Sequence, residues 1–242
     1  MSLAVVDALL GADEPPAAMF AQSFVAAYQR DPRAGYARGF EQLLDEVSDG
    51  ADLQRRIRPD SVRNGAAMRS VPLGVIDDIA RLRRVAHAQA RVTHDTPAGR
   101  LSSEVVGLMA HALIHRQAGV AELAAFVETH AGFALRADWS GEVEVDAVQT
   151  LHAVHTALVR QRSLTALLID CVEFGGDVDS VAAIALGLAS LAPEFKDDLA
   201  PSLHGGLENG AFGRDHLISL DDAMTRRWPA LAQAGRRRSP AV

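Results

Sequence analysis

Three short oxygen-bearing side chains stand close together at one point of the chain. Asp177, Asp179 and Ser180 follow a pair of glycines and precede an apolar run that begins at Val181. The glycines predict the end of one helix, and the acidic and hydroxyl residues predict the start of the next. Because a helix turns through about 100° per residue, the three side chains could converge at that start. Carboxylate and hydroxyl oxygens are the ligands that a hard divalent cation such as Mg²⁺ prefers.

The same residues also fit an ordinary helix start without any ligand. Asp177 would then be the N-cap residue, and Asp179 would complement the helix dipole in the first turn. Ser180 would have no particular role in that case. Taken alone, the motif is therefore compatible with a metal site and with a plain cap.

Further motifs resemble those of one known family, in the same order along the chain. Residues 175–185 resemble the G-G-D-x-D-[ST]-x-A-A-I-A motif of the ADP-ribosylglycohydrolases, an all-α family of magnesium-dependent hydrolases. Residues 64–74 resemble the family's G-N-G-A-A-M-R-x-x-P-L-G loop, residues 93–95 its [ST]-H-x-D turn, and residues 148–153 the helix before its metal motif. The similarity runs from about Leu3 to Trp228, and by it the chain is identified as a member of this family.

The resemblance implies roles for two groups of residues. The metal ligands would be Asp177, Asp179 and Ser180. The residues that line the ADP-ribose cleft would be Asn64, Gly65 and His94. We expect Asp95 to orient the ring of His94 by accepting a proton from one ring nitrogen. The catalytic acid and base are not assigned to any residue.

The cleft residues have simpler interpretations as well. Glycine lets backbone N–H groups approach a ligand, but Asn64-Gly65 is equally typical of a plain turn between helices. A lone histidine such as His94 is often a surface or capping residue. Arg63 stands where the family usually has glycine, so the loop is either stiffer here or directs this arginine at a phosphate.

One half of the family's metal site has no counterpart in this sequence. In the family, an [ST]-D-D-[ST] motif lies just before a helix that resembles Met1 to Leu10, and this sequence begins after that point. Neither Asp7 nor Asp13-Glu14 replaces the motif. We expect the true start of the protein to lie upstream of Met1. The alternative is a shortened relative that binds without hydrolysing.

Two pairs of histidines have a spacing that would place each pair on one helix face. His111 and His115 are four residues apart, and His152 and His155 are three apart. Zinc hydrolases use such pairs in the pattern H-E-x-x-H, but Ala112 stands at the position of the glutamate. A helical zinc hydrolase is therefore the poorest of the enzyme hypotheses.

Composition indicates an all-α protein with an aliphatic core. Hydrophobic residues make up 48% of the 242 residues and aromatic residues only 5%. The net charge of −7 argues against a nucleic-acid partner. No apolar run is long enough to span a membrane, and the first ten residues do not fit a signal peptide. The single cysteine, Cys171, is expected to be a buried inert thiol, and the expected location is cytoplasmic.

Helical periodicity predicts one all-α domain over residues 1–235 and a basic flexible tail over residues 236–242. Residues 48–65 are predicted to form a loop. The predicted helices span residues 3–10, 17–29, 36–47, 77–92, 98–117, 120–131, 145–160, 164–174, 179–191, 197–208 and 220–234.

Together these observations predict magnesium-dependent hydrolysis of an ADP-ribosyl linkage, with an ADP-ribosylated protein or small molecule as the partner. The alternative is an inactive ADP-ribose-binding or structural relative, similar to the lens crystallins that resemble this family.

Overall fold

Aliphatic residues at helical spacing give this chain its fold. The computed structural model describes residues 1–234, and within them it contains no β-sheet, only isolated bridges. The fourteen α-helices are α1 Ser2–Gly11, α2 Ala17–Arg30, α3 Arg38–Glu46, α4 Gly50–Arg56, α5 Gly65–Met68, α6 Ile79–Arg91, α7 Pro97–Ile114, α8 Leu123–Ala131, α9 Ala147–Arg160, α10 Leu164–Glu173, α11 Val178–Ala189, α12 Pro201–Gly205, α13 Arg214–Arg227 and α14 Ala230–Ala234. Two 3₁₀-helices span Val71–Val75 and Val120–Glu122. The all-α prediction is confirmed.

Helix α7 forms the centre of the core. Its residues from Ser102 to Ile114 are all buried, so the helix is covered on every side. Helices α6, α8, α9 and α11 pack around it. Thr96 caps its start, because the hydroxyl accepts a hydrogen bond from the backbone N–H of Gly99, and Pro97 occupies the first turn, where its missing N–H costs nothing.

The predicted loop over residues 48–65 is wrong, because helix α4 lies within it. Asp49 starts this helix by accepting a hydrogen bond from the N–H of Asp52. Gly50 lies against α2, where a Cβ would stand 2.3 Å from the backbone nitrogen of Gln22. A helix of seven residues whose only buried side chain larger than glycine is Leu53 is too short to show a periodic apolar pattern.

Two predicted helices near the C-terminus also need correction. Only Pro201–Gly205 is α-helical within the predicted helix 197–208, because Asp198 is instead used to cap α10 through the N–H of Thr165. The predicted helix 220–234 is divided into α13 and α14 at Pro229, which lacks the N–H that a continuous helix needs. The predicted basic tail, residues 236–242, lies outside the described residues.

Two further expectations can be compared with the structure. Cys171 is buried within α10, and burial raises the pKa of its thiol to about 12, which makes it inert as a nucleophile at neutral pH. Among residues 1–234, no helix has the length and apolar character needed to cross a bilayer.

Candidate functional site

Residues 143–145 form a short extended segment just before α9. This segment joins the loop that carries Asn64 to the loop that carries Asp177, and these two loops hold most of the predicted site. The Val145 carbonyl accepts a hydrogen bond from the N–H of Asn64 at 3.0 Å. On the other side, the Val143 carbonyl accepts one from the N–H of Asp177 at 2.7 Å, and the N–H of Val143 donates to Gly175 at 3.1 Å. Two loops that are far apart in the sequence are therefore held against one connecting segment.

The two glycines before the acidic motif are required by this arrangement. Gly175 and Gly176 have φ values of +76° and +74°, which L-residues with a side chain rarely adopt. A Cβ on Gly176 would also lie 2.3 Å from the carbonyl oxygen of Val143. The glycine pair thus reverses the chain after α10 and lets Asp177 approach the connecting segment.

The side chain of Asn64 links the two loops directly. Its Nδ2 donates to Oδ2 of Asp177 at 2.5 Å and to Oγ1 of Thr150 at 3.0 Å. Thr150 in turn donates to the carbonyl of Asp146, so its hydroxyl can only accept from Asn64. The amide of Asn64 is therefore held in one orientation, with both donor protons used.

This hydrogen bond bears on the two interpretations of the acidic motif. Asp177 stands at the N-cap position of α11, but its side chain makes no capping hydrogen bond. Instead the carboxylate, which is half-buried, accepts from Asn64. Neither Asp177 nor the exposed Asp179 forms an ion pair within residues 1–234. Asp177 is therefore the N-cap residue by position and Asp179 lies in the first turn, as the plain interpretation predicts, but the side chain of Asp177 bonds Asn64 instead of capping the helix.

Ser180 is the buried member of the motif. Its hydroxyl donates to the sulfur of Met68 at 3.2 Å, which leaves the lone pairs of the oxygen unused by that contact. Asp177, Asp179 and Ser180 thus offer two carboxylates and one hydroxyl, a donor set that suits Mg²⁺ chemically. Among residues 1–234, no group of three or more His, Cys, Asp or Glu side chains is placed to hold a metal ion. If all three side chains ligated one Mg²⁺ ion, they would supply about half of its coordination shell, and water or substrate would have to supply about three more ligands.

His94 lies on the other side of the Asn64 loop and is 8% exposed. A Cβ built on Gly65 would lie 3.1 Å from Cε1 of the ring, so only glycine fits here without displacing the imidazole. The pKa of His94 is lowered to about 3, mainly by burial and further by the nearby Arg69. The ring is consequently neutral over the whole physiological range.

The expectation that Asp95 orients His94 is wrong. Asp95 pairs with Arg100 and, at 3.7 Å, with Arg91. The imidazole is held from the other neighbour, because Nδ1 of His94 lies 2.6 Å from the hydroxyl of Thr93. His94 also pairs with Asp60 through a backbone bridge, which fixes this turn against the segment that leads to Asn64.

A buried polar network lies behind the loop, and sequence reasoning did not assign it. Arg69 donates to the side chain of Gln89, to its carbonyl at 3.2 Å and to the Thr93 hydroxyl at 2.7 Å. Gln89 and Ser103 also bond each other between α6 and α7. The available signal was the presence of polar residues on otherwise apolar helix faces, together with the place of Arg69 in the loop motif.

Arg63 and the paired histidines have simpler surroundings. Arg63 is exposed beside Asn64, and its orientation toward a phosphate remains a prediction. One ring nitrogen of each paired histidine contacts a backbone group: His111 with Ile76, His115 with Gly74, and both His152 and His155 with Arg136. Nε2 of His111 and Nε2 of His155 are buried and have no hydrogen-bond partner within residues 1–234. These contacts give each ring a structural role.

Comparison with known proteins places these features in a family context. A model of the ADP-ribosylglycohydrolase family matches residues 1–234. A curated relative, the ADP-ribosyl-[dinitrogen reductase] glycohydrolase of Rhodospirillum rubrum, is 31% identical over 141 residues, which are 56% of this chain and 47% of that protein. The chain thus spans about half the length of the curated relative it matches. A solved structure described as an ADP-ribosylglycohydrolase-related protein complex superposes with a TM-score of 0.66 at 21% identity, covering 97% of this chain and 79% of that one.

Proposed function

Because this chain belongs to the ADP-ribosylglycohydrolase family, we propose that it hydrolyses an ADP-ribosyl glycosidic linkage and releases ADP-ribose. The observation that carries the proposal is the bond between Asn64 and Asp177, which unites the predicted substrate loop with the predicted metal motif. The proposed substrate is an ADP-ribosylated protein or small molecule.

The proposed cofactor is Mg²⁺, held by Asp177, Asp179 and Ser180. When bound, the ion would supply a Lewis acid and a source of activated water at the ribose. The carboxylate of Asp177 is kept in position by the Asn64 amide, and the hydroxyl of Ser180 by Met68. Preorganised ligands of this kind bind an ion without first having to be ordered.

The other proposed contacts are to ADP-ribose itself. Gly65 presents backbone without a side chain, which allows close approach of a ribose or phosphate group. His94 offers a neutral ring beside it. Cleavage at the anomeric carbon passes through an oxocarbenium-like state, and correct placement of the ribose before that state is what these residues would contribute.

Calorimetric titration of ADP-ribose tests the proposal. We expect binding in the presence of Mg²⁺, loss of binding on addition of EDTA, and loss of binding in Asp179→Ala. Asp222→Ala, which removes an exposed carboxylate from α13, is the matched control and should bind as the wild type does. Metal-independent binding, or equal binding by both variants, would contradict the assignment of the metal motif.

Release of ADP-ribose from modified substrates is the second measurement. An ADP-ribosylated dinitrogen reductase is a reasonable first substrate, since the curated relative is described as acting on that protein. ADP-ribosylated small molecules form the second arm.

A second candidate function rests on the size of the metal donor set. With only two carboxylates in the motif, the chain would bind ADP-ribose and a metal ion without hydrolysing the linkage. Binding that depends on Mg²⁺, combined with no release of ADP-ribose from either class of substrate, would favour this candidate over the enzyme.

A further inference from the structure

Arg69 is a buried cation without a carboxylate partner among residues 1–234. The whole residue is only 4% exposed. Its guanidinium lies over the Phe24 ring, 4.7 Å from the ring centroid, and donates hydrogen bonds only to neutral groups of Gln89 and Thr93. Burial lowers the pKa of Arg69 to about 9, which still leaves it charged at neutral pH. Burying a charged guanidinium without an opposite charge costs desolvation free energy, so packing alone does not explain the position of Arg69.

The direction of each hydrogen bond in this network can be derived. A guanidinium only donates, so the Thr93 hydroxyl accepts from Nη2 of Arg69. That hydroxyl then has one proton left to donate. Within the described residues its only other partner is Nδ1 of His94, at 2.6 Å. Leaving a buried hydroxyl proton unpaired would cost about 1–3 kcal/mol, so Thr93 donates to Nδ1.

Since Nδ1 accepts, the single proton of the neutral ring must be on Nε2. That nitrogen lies next to Gly65, because a Cβ on Gly65 would stand 3.2 Å from it. Gly65 is half-buried and has no side chain to cover the ring edge, so a ligand on the loop can reach this N–H. His94 therefore presents a donor toward the surface of the proposed cleft.

We propose that Thr93, oriented by Arg69, is a positioning residue that fixes His94 in the Nε2–H tautomer as a permanent hydrogen-bond donor to an oxygen atom of the ADP-ribosyl group. The ligand part of this inference rests on the proposed function, whereas the tautomer does not. The donor is permanent because a second proton would have to be placed on Nδ1, where the Thr93 hydroxyl and the Arg69 charge oppose it. His94 consequently binds and orients and does not act as the acid or base.

The tautomer is measured by nitrogen-15 NMR of the unliganded full chain. We expect the wild-type His94 signals of a ring protonated on Nε2 only, unchanged between pH 5 and 8. Thr93→Ser keeps the hydroxyl and should keep this pattern, whereas Thr93→Val removes it and should produce a mixture of tautomers. A wild-type ring protonated on Nδ1, or a Thr93→Ser protein that behaves like Thr93→Val, would overturn the proposal.

Binding of ADP-ribose supplies the second readout. We expect Thr93→Val to weaken binding about tenfold, the value of one hydrogen bond, and Thr93→Ser to restore it. Thr129→Val makes the same chemical change on α8, where the hydroxyl bonds only its own helix, and should bind normally. Tight binding by Thr93→Val would refute the positioning role. Absence of binding by a wild-type protein with the expected tautomer would refute the proposed function and not the tautomer.

Discussion

The amide of Asn64 donates a hydrogen bond of 2.5 Å to the carboxylate of Asp177, across 113 positions of sequence. The same amide also donates to Thr150 of α9, so three separate parts of the chain meet at one side chain. This contact joins the Asn64 loop directly to the acidic motif. It also means that a change at Asn64 should affect metal binding, although Asn64 is not among the proposed ligands.

Replacing Asn64 by alanine tests this connection. Asn64→Ala leaves the buried Thr150 hydroxyl and the half-buried Asp177 without their donor, so we expect a loss of about 1–3 kcal/mol in the free energy of unfolding. We also expect weaker Mg²⁺-dependent binding of ADP-ribose. Urea denaturation and calorimetry measure the two effects.

The matched control is Asn209→Ala. Asn209 makes a similar bond of 3.0 Å to the Asp215 carboxylate and also accepts one of 2.9 Å from the Asp215 N–H, but both residues are exposed, so the loss should cost only about 0.5–1 kcal/mol. Equal costs for the two variants would show that the Asn64 bond is no more than a surface contact.

Gly176 provides a test of the backbone at the acidic motif. Gly176→Ala combines a positive φ of +74° with a contact of 2.3 Å to the Val143 carbonyl, so the connecting segment must shift. We expect the free energy of unfolding to fall by more than about 2 kcal/mol. Gly132→Ala, at a φ of +65° in open space, should cost only the conformational part of about 1–2 kcal/mol. If the two variants are equally stable, the close contact with Val143 carries no energetic weight.

Gly65→Ala should separate binding from stability. The new Cβ would lie 3.1 Å from Cε1 of His94, and the ring can retreat only by straining its bond to Thr93. We expect ADP-ribose affinity to fall about tenfold or more, while the unfolding midpoint changes little. Gly39→Ala, in α3 with open space around it, should leave affinity unaltered. Unchanged affinity in Gly65→Ala would remove Gly65 from the proposed cleft.

The depressed pKa of His94 predicts a pH dependence of stability. Its pKa is about 3 in the folded protein and about 6.5 in the unfolded chain, so between these values the unfolded state binds more protons. Stability should therefore decrease as the pH falls through this window, by up to about 1.4 kcal/mol per pH unit from this residue. Above about pH 6.5 the ring is neutral in both the folded and the unfolded state, so His94 no longer lowers the free energy of unfolding.

Comparison with a variant isolates this contribution. His94→Gln cannot titrate, so its free energy of unfolding should fall less steeply between pH 6.5 and 4 than that of the wild type. The buried His111 and His155, whose pKa values are also lowered by burial, act in the same direction but are present in both proteins. His204→Gln, at an exposed position, is the control. Parallel pH profiles for wild type and His94→Gln would contradict the burial of a neutral ring.

Most helices could be predicted from the sequence because each is set by local information. The apolar periodicity of α2 and α9 and the proline at the start of α7 are properties of neighbouring residues. Prediction was wrong where tertiary contacts decided the outcome. Helix α4 depends on Gly50 fitting against α2, and Asp198 caps a helix some thirty residues earlier in the chain.

The sequence by itself determined the all-α fold, the glycine pair before the acidic motif and the residue types of the candidate site. Only the tertiary structure decided which of these residues act on one another. It paired Asn64 with Asp177 and made Thr93, instead of Asp95, the residue that orients the His94 ring. It also buried Arg69 beside Thr93, where the guanidinium donates to the Thr93 hydroxyl. The physical reason is range: helix formation and turn preference are local, whereas the partners of a buried polar group depend on how distant segments pack.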